Sequence, residues 1–231
     1  MKKLLLLALT TLSLIAIELP KTIKTTIQAT QQNGTVQLSK NIQKGMSGIV
    51  VHDYGNGLSA ITYTVVSQGG GQATLEPYTI LSHGKLPSIK TVAQKGDRVI
   101  FGNFYNNVLL IAPNGQSYSK ITKSIKKSWI HPDIYAMYLI STDAIHISLE
   151  NLKEFARKNQ VGLVLIATQD SLLTLDPISG VFLSKTPLSL KVDKAQSPFY
   201  ARFEQINTNI FSSEDTKEFP EYYKGIERLI K

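Results

Sequence analysis

Lys120, Lys123, Lys126 and Lys127 interleave with Ile121 and Ile125 just ahead of Trp129 and Ile130. At helical spacing this pattern sets ammonium groups near one face, where they would meet an anionic surface; a solvated linker face is the competing reading. The four histidines, His52, His83, His131 and His146, stand apart from one another and form no H-E-x-x-H pattern. A metal site would therefore need distant side chains to converge, and none is expected. His52 precedes Asp53, but neighbouring strand residues point to opposite faces, so the two would not act as base and orienter. Glu214-Asp215 lies in a polar stretch, and solvated carboxylates make poor acid–base catalysts. The sequence holds no G-x-S-x-G elbow, and Gly69-Gly70-Gly71 lacks the Lys-Ser or Lys-Thr of a phosphate loop. These residues point to no reaction, so a non-enzymatic chain without cofactor, metal or nucleic-acid partner is expected.

The N-terminus carries an address. Lys2 and Lys3 precede an apolar and hydroxyl run from Leu4 to Ile17, the layout of a secretory signal. That run is shorter than the roughly 20 residues a spanning helix needs. Residues 1–17 are thus expected to be a signal peptide and the mature chain periplasmic, with the outer surface as a second destination. Ala16 suits a cleavage site but Leu14 does not, so an uncut leader is the one route to a membrane. With no Cys there is neither a diacyl-Cys anchor nor a disulfide, and stability must come from packing. The net charge is +8, and +6 without Lys2 and Lys3; this would attract anionic envelope polymers, though it is also ordinary for solubility.

The first hundred residues after the leader read as strands. Ile23 to Gln28 and Thr35 to Leu38 flank Asn33-Gly34, while Gly48 to Asp53 and Leu58 to Gln68 flank Asn56-Gly57. Gly69-Gly70-Gly71 turns into Ala73 to Ile80, Lys95-Gly96-Asp97 feeds Arg98 to Phe101, and Asn106-Asn107 leads into Val108 to Ile111. An antiparallel sandwich or small barrel is expected over 18–125, followed by a mixed α/β part over 126–231. In that second part Ser148 caps a helix to Asn159, and Val161 to Thr168 is a buried strand. Leu172 to Leu175 hairpins into Val181 to Leu183, and Pro220 to Lys231 is a terminal helix. Ile134 to Ile140 reads at least as strand-like as helical. His131-Pro132-Asp133 resembles the loop of J-domain co-chaperones, but the helices such a domain needs on both sides are not evident.

Met46-Ser47-Gly48-Ile49-Val50-Val51-His52-Asp53-Tyr54, Ala60-Ile61-Thr62-Tyr63 and Gly96-Asp97-Arg98-Val99-Ile100-Phe101-Gly102 resemble the N-terminal domain of the plasminogen-binding proteins of epsilon-class Gram-negative bacteria. The resemblance implies an exported, non-enzymatic envelope protein. Members associated with plasminogen capture carry long, charged, lysine-ended extensions, whereas this sequence stops at Ile230-Lys231. That favours a periplasmic scaffold or adaptor, with flagellar motor components as protein partners. Host plasminogen is the alternative partner, since a kringle pocket holds an ammonium and a carboxylate with the alkyl stem between aromatic walls, and Lys231 offers both charges. A cell-wall-acting enzyme is the third reading.

Overall fold

The computed structural model describes residues 17–31, 33–78, 91–144, 147–190, 192, 194–202, 216–217, 222 and 226. Residues 1–16 of the leader, His83, His146, Glu214-Asp215 and Lys231 lie outside the described residues.

Six antiparallel strands close a barrel: β1 (Ile23–Thr30), β2 (Thr35–Leu38), β3 (Ser47–Gly55), β4 (Leu58–Gly69), β5 (Gln72–Pro77) and β6 (Arg98–Phe101). Their order around it is β1-β2-β5-β4-β3-β6, with β6 returning to pair with β1. Alternating strand faces send Ile27, Val36, Val50, Val65, Ala73, Val99 and Phe101 inward, each no more than 1% exposed. Turn chemistry sets the register. Asn56 (φ 51) and Gly57 (φ 78) both take the left-handed conformation of a two-residue hairpin between β3 and β4. At Asn33-Gly34 the Asn33 side chain bends back to accept from the Thr35 N–H.

The second sheet has the order β11-β10-β9-β7-β8. From β7 (Asn107–Ile111) the chain runs through α1 (Gly115–Ser124) to β8 (Ser128–Ile130), which is parallel to β7. It then crosses through α2 (Pro132–Ser141) and α3 (Leu149–Asn159) to β9 (Leu163–Ala167), parallel to β7 on its other side. β10 (Ser171–Asp176) and β11 (Val181–Pro187) complete the sheet as antiparallel hairpins. A short pair, β12 (Ala195–Gln196) and β13 (Thr216–Lys217), follows.

Every residue of β9 and β10 is buried because the central sheet is covered on both faces. Val108, Leu110, Leu163, Leu165 and Leu172 join the core shared with the barrel and α1. Leu109, Ile111, Val164, Ile166 and Leu173 join a second core with α2 and α3. Tyr222 and Ile226 are helical, as the terminal-helix reading expects at those positions, and are buried in this second core. The chain passes from the barrel to the second sheet between Phe101 and Asn107.

Ile134 to Ile140 forms helix, not strand. His131 caps α2 by accepting from the Asp133 N–H, and Pro132 fills the first turn, where its missing N–H costs nothing. Ile134 and Met137 stay exposed on the outer side, so the helix is apolar all round and its sequence shows no helical stripe.

Barrel and sheet are joined at Asp176, which is completely buried at the end of β10. One carboxylate oxygen accepts from the Ser47 N–H of β3 at 2.8 Å and from the Tyr105 hydroxyl at 2.6 Å. The other takes the Ile178 and Ser179 N–H groups of the β10–β11 turn, both at 3.0 Å. Burial, and then the charge of Asp176, push the Tyr105 hydroxyl far above the usual tyrosine range, which keeps it a donor.

Candidate functional site

α1 begins at Asn114, whose side chain accepts from the Ser117 N–H, and ends where Ile125 turns extended. Lys120 and Lys123 project from it into solvent, and Lys126 is exposed just beyond it. Lys127 is half-buried instead and donates to the Tyr105 carbonyl at 2.9 Å. Burial lowers its pKa, so this ammonium is a structural tie and not part of an open cationic face. Three of the four lysines thus remain available to a partner. Helical spacing groups only Lys120 and Lys123, because the helix stops before Lys126.

A polar and aromatic cluster lies near the ends of the parallel strands β7 and β8. The Tyr118 ring lies 5.3 Å from His131 and 5.4 Å from Tyr200. Asp133, in the first turn of α2, accepts from the Arg202 backbone N–H at 2.8 Å and from Arg202 Nε at 2.6 Å. Burial works against the Asp133 carboxylate, but these two hydrogen bonds and the nearby positive charge outweigh it and hold its pKa below the ordinary value. Burial, assisted by Arg202, lowers the His131 pKa against the opposing pull of Asp133. Backbone hydrogen bonds tie this later segment to the end of β7: the Tyr200 N–H donates to the Ala112 carbonyl and the Gln196 N–H to the Pro113 carbonyl.

Both shifts have the same consequence for stability. A His or Asp with a depressed folded pKa binds protons more weakly than in the unfolded chain, so stability falls as pH drops. The His131 contribution begins to be lost below about pH 6.5 and the Asp133 contribution below about pH 4. His131→Asn keeps a capping acceptor but cannot titrate, so chemical denaturation across pH 7 to 5 should show a flatter stability profile for that variant than for the parent. Parallel profiles would mean that His131 does not sense pH in the fold.

On the barrel, His52 Nδ1 meets Asp97 Oδ1 at 2.7 Å, and Asp97 Oδ2 accepts from the Gln94 N–H. Asp53 points elsewhere and accepts from the Gly55 N–H. The partner of His52 is 45 residues away in sequence, and no local spacing could have found it. Among the described residues no three His, Asp or Glu side chains converge as metal ligands, and no helix is long and apolar enough to cross a membrane.

Comparison with known proteins adds what this geometry does not name. Plasminogen-binding protein PgbA of Helicobacter pylori strain ATCC 700392 / 26695 is 29% identical over 195 residues, covering 80% of this chain and 42% of the relative. PgbA of Helicobacter pylori strain J99 / ATCC 700824 is likewise 29% identical over 195 residues, covering 80% of this chain and 43% of the relative. The chain thus spans less than half the length of these curated relatives. No solved structure matches. The family described as plasminogen-binding protein pgbA N-terminal matches residues 22–227, from the start of the barrel through both sheets. This chain therefore belongs to the plasminogen-binding protein pgbA N-terminal family.

Proposed function

We propose that this chain is an exported, non-enzymatic protein-binding domain and that the protein it captures is plasminogen. The observation that carries the reading is the family match over 22–227 together with relatives named for plasminogen binding. The chemistry offered is lysine presentation to kringle pockets. Lys231 is one contact proposed, because its side-chain ammonium complements the anionic end of such a pocket. Lys120, Lys123 and Lys126 are the secondary contacts, since their ammonium groups face solvent.

The test is binding of the purified chain to immobilised plasminogen, with and without a free lysine analogue. Competition by the analogue and a loss of about tenfold or more in Lys231→Ala are expected, equivalent to roughly 1.4 kcal/mol of binding. Loss only in the Lys120→Ala/Lys123→Ala/Lys126→Ala variant would move the contact to α1. Binding that ignores the analogue would end the lysine mechanism. The envelope-scaffold reading, with flagellar motor components as partners, rests on family and compartment; it requires co-purification with the motor and a motility defect on deletion.

A further inference from the structure

The barrel carries a second charged surface, remote in sequence from the lysines of α1. β1 pairs with β6 through Ile23–Thr26 and with β2 from Ile27 onward, and beyond β2 the chain stays tied to β1 through Ser39 and the Lys40 side chain. A groove of about 360 Å³ lies along this stretch, lined by β1, by Ser39 and Lys40, and by β6. Lys24, Lys40 and Arg98 stand exposed around it, and no carboxylate lines it. Among the described residues none of the three is in an ion pair.

The groove is also organised. Lys40 Nζ is held by the Lys24 carbonyl at 3.0 Å. The Ser39 hydroxyl meets Thr25 Oγ1 at 2.8 Å and accepts from the Thr26 N–H at 3.2 Å. The Thr26 hydroxyl also donates to Ser39 at 3.1 Å, which saturates the Ser39 hydroxyl and leaves the lone pairs of Thr26 Oγ1 for a ligand.

We propose that this groove binds a linear sulfated or phosphorylated glycan. Three uncompensated cations supply the affinity for closely spaced anionic groups, and the Thr26 hydroxyl can accept from a sugar hydroxyl. Other occupants fit less well. A peptide adding as a strand would need the open edge of β1, but Lys40 already occupies the Lys24 carbonyl, and Ser39 engages both the N–H and the carbonyl of Thr26. A single-stranded nucleic acid would need aromatic platforms, and none lines the groove. A membrane surface would call for apolar side chains at the rim, yet the large exposed hydrophobics, such as Tyr54, Val92 and Ile134, all lie outside it.

Titration of the purified chain with a heparin-derived tetrasaccharide at low salt tests this. Binding should fall steeply with salt and weaken by about tenfold or more in Lys24→Ala/Lys40→Ala/Arg98→Ala, while Lys120→Ala/Lys123→Ala stays within about twofold of the parent. Circular dichroism checks that the variants fold, and Arg98→Glu alone supplies an independent second reading. The desulfated tetrasaccharide should bind much more weakly. Absence of binding, equal losses in the groove and α1 variants, or groove-dependent binding to anionic phospholipid vesicles without glycan binding would each overturn the proposal. None of these outcomes bears on plasminogen capture, which is read separately by lysine-analogue competition.

Discussion

Asp176→Ala should lower the stability of this protein by about 3–5 kcal/mol, the largest effect expected of any single side-chain truncation described here. The carboxylate is fully buried and satisfies four donors from three segments: Ser47 in the barrel, Tyr105 in the connector, and Ile178 and Ser179 in the β10–β11 turn. Removing it leaves the Ser47 N–H and the Tyr105 hydroxyl in a site closed to water, and each orphaned donor costs about 1–3 kcal/mol. Asp176→Asn should be milder. Its remaining oxygen can still accept from the turn, but its NH₂ faces the Ser47 N–H donor to donor. Tyr105→Phe should cost least, about 1.5–3 kcal/mol, since it removes one hydrogen bond to a charged acceptor. Urea denaturation of the three variants checks the order; a loss below about 1 kcal/mol for Asp176→Ala would show that the joint does not depend on this carboxylate.

Gly162→Ala should be nearly as damaging for a different reason. A Cβ at Gly162 would lie 2.2 Å from the carbonyl carbon and oxygen of Phe104 and 2.6 Å from the Tyr105 nitrogen. These are backbone atoms of the connector where it crosses the start of β9, and they cannot swing aside as a side chain would. The Gly162 N–H also donates to the Asn107 carbonyl, which fixes the close approach. Forcing the two backbones apart should cost about 3 kcal/mol, at the upper end for overpacking. Gly115→Ala is the matched control. At that position the nearest atoms to the added methyl belong to the Tyr200 side chain, at 3.0 Å and beyond, which can give way, and alanine favours the helix. The midpoint of thermal unfolding should therefore drop by about 6–12 °C for Gly162→Ala and barely move for Gly115→Ala. Equal shifts would remove the steric argument.

Both substitutions strike the same place, the joint where the barrel lies on the mixed sheet. Its parts are far apart in sequence: Ser47, Tyr105, Gly162 and Asp176 come from four separate segments. The proposed contact surfaces sit outside it, on α1 and along the β1–β6 seam, so either can be altered without touching the core.

The candidate contacts were legible in the sequence to different degrees. Lys120 and Lys123 stand out by spacing alone. The diversion of Lys127 to the Tyr105 carbonyl does not, because a backbone acceptor 22 residues away leaves no trace in local composition. The groove of Lys24, Lys40 and Arg98 was likewise unreadable, since it exists only once β6 pairs with β1. The same holds for His52 with Asp97 and for Asp133 with Arg202, where each partner arrives from a distant turn or segment.

By itself the sequence determined the local choices: strand pairs around Asn56-Gly57 and Gly69-Gly70-Gly71, a capped helix after Ser148, and the strand-rich class with a mixed second part. Each of these is decided by interactions within a few residues, through backbone angles, caps and alternation. Tertiary structure decided that the strands close into a barrel, that β7 belongs to the second sheet, and that the apolar run after Pro132 is helical. Those outcomes depend on which faces find cover, and a run that is apolar on every side takes its form from the surface it packs against.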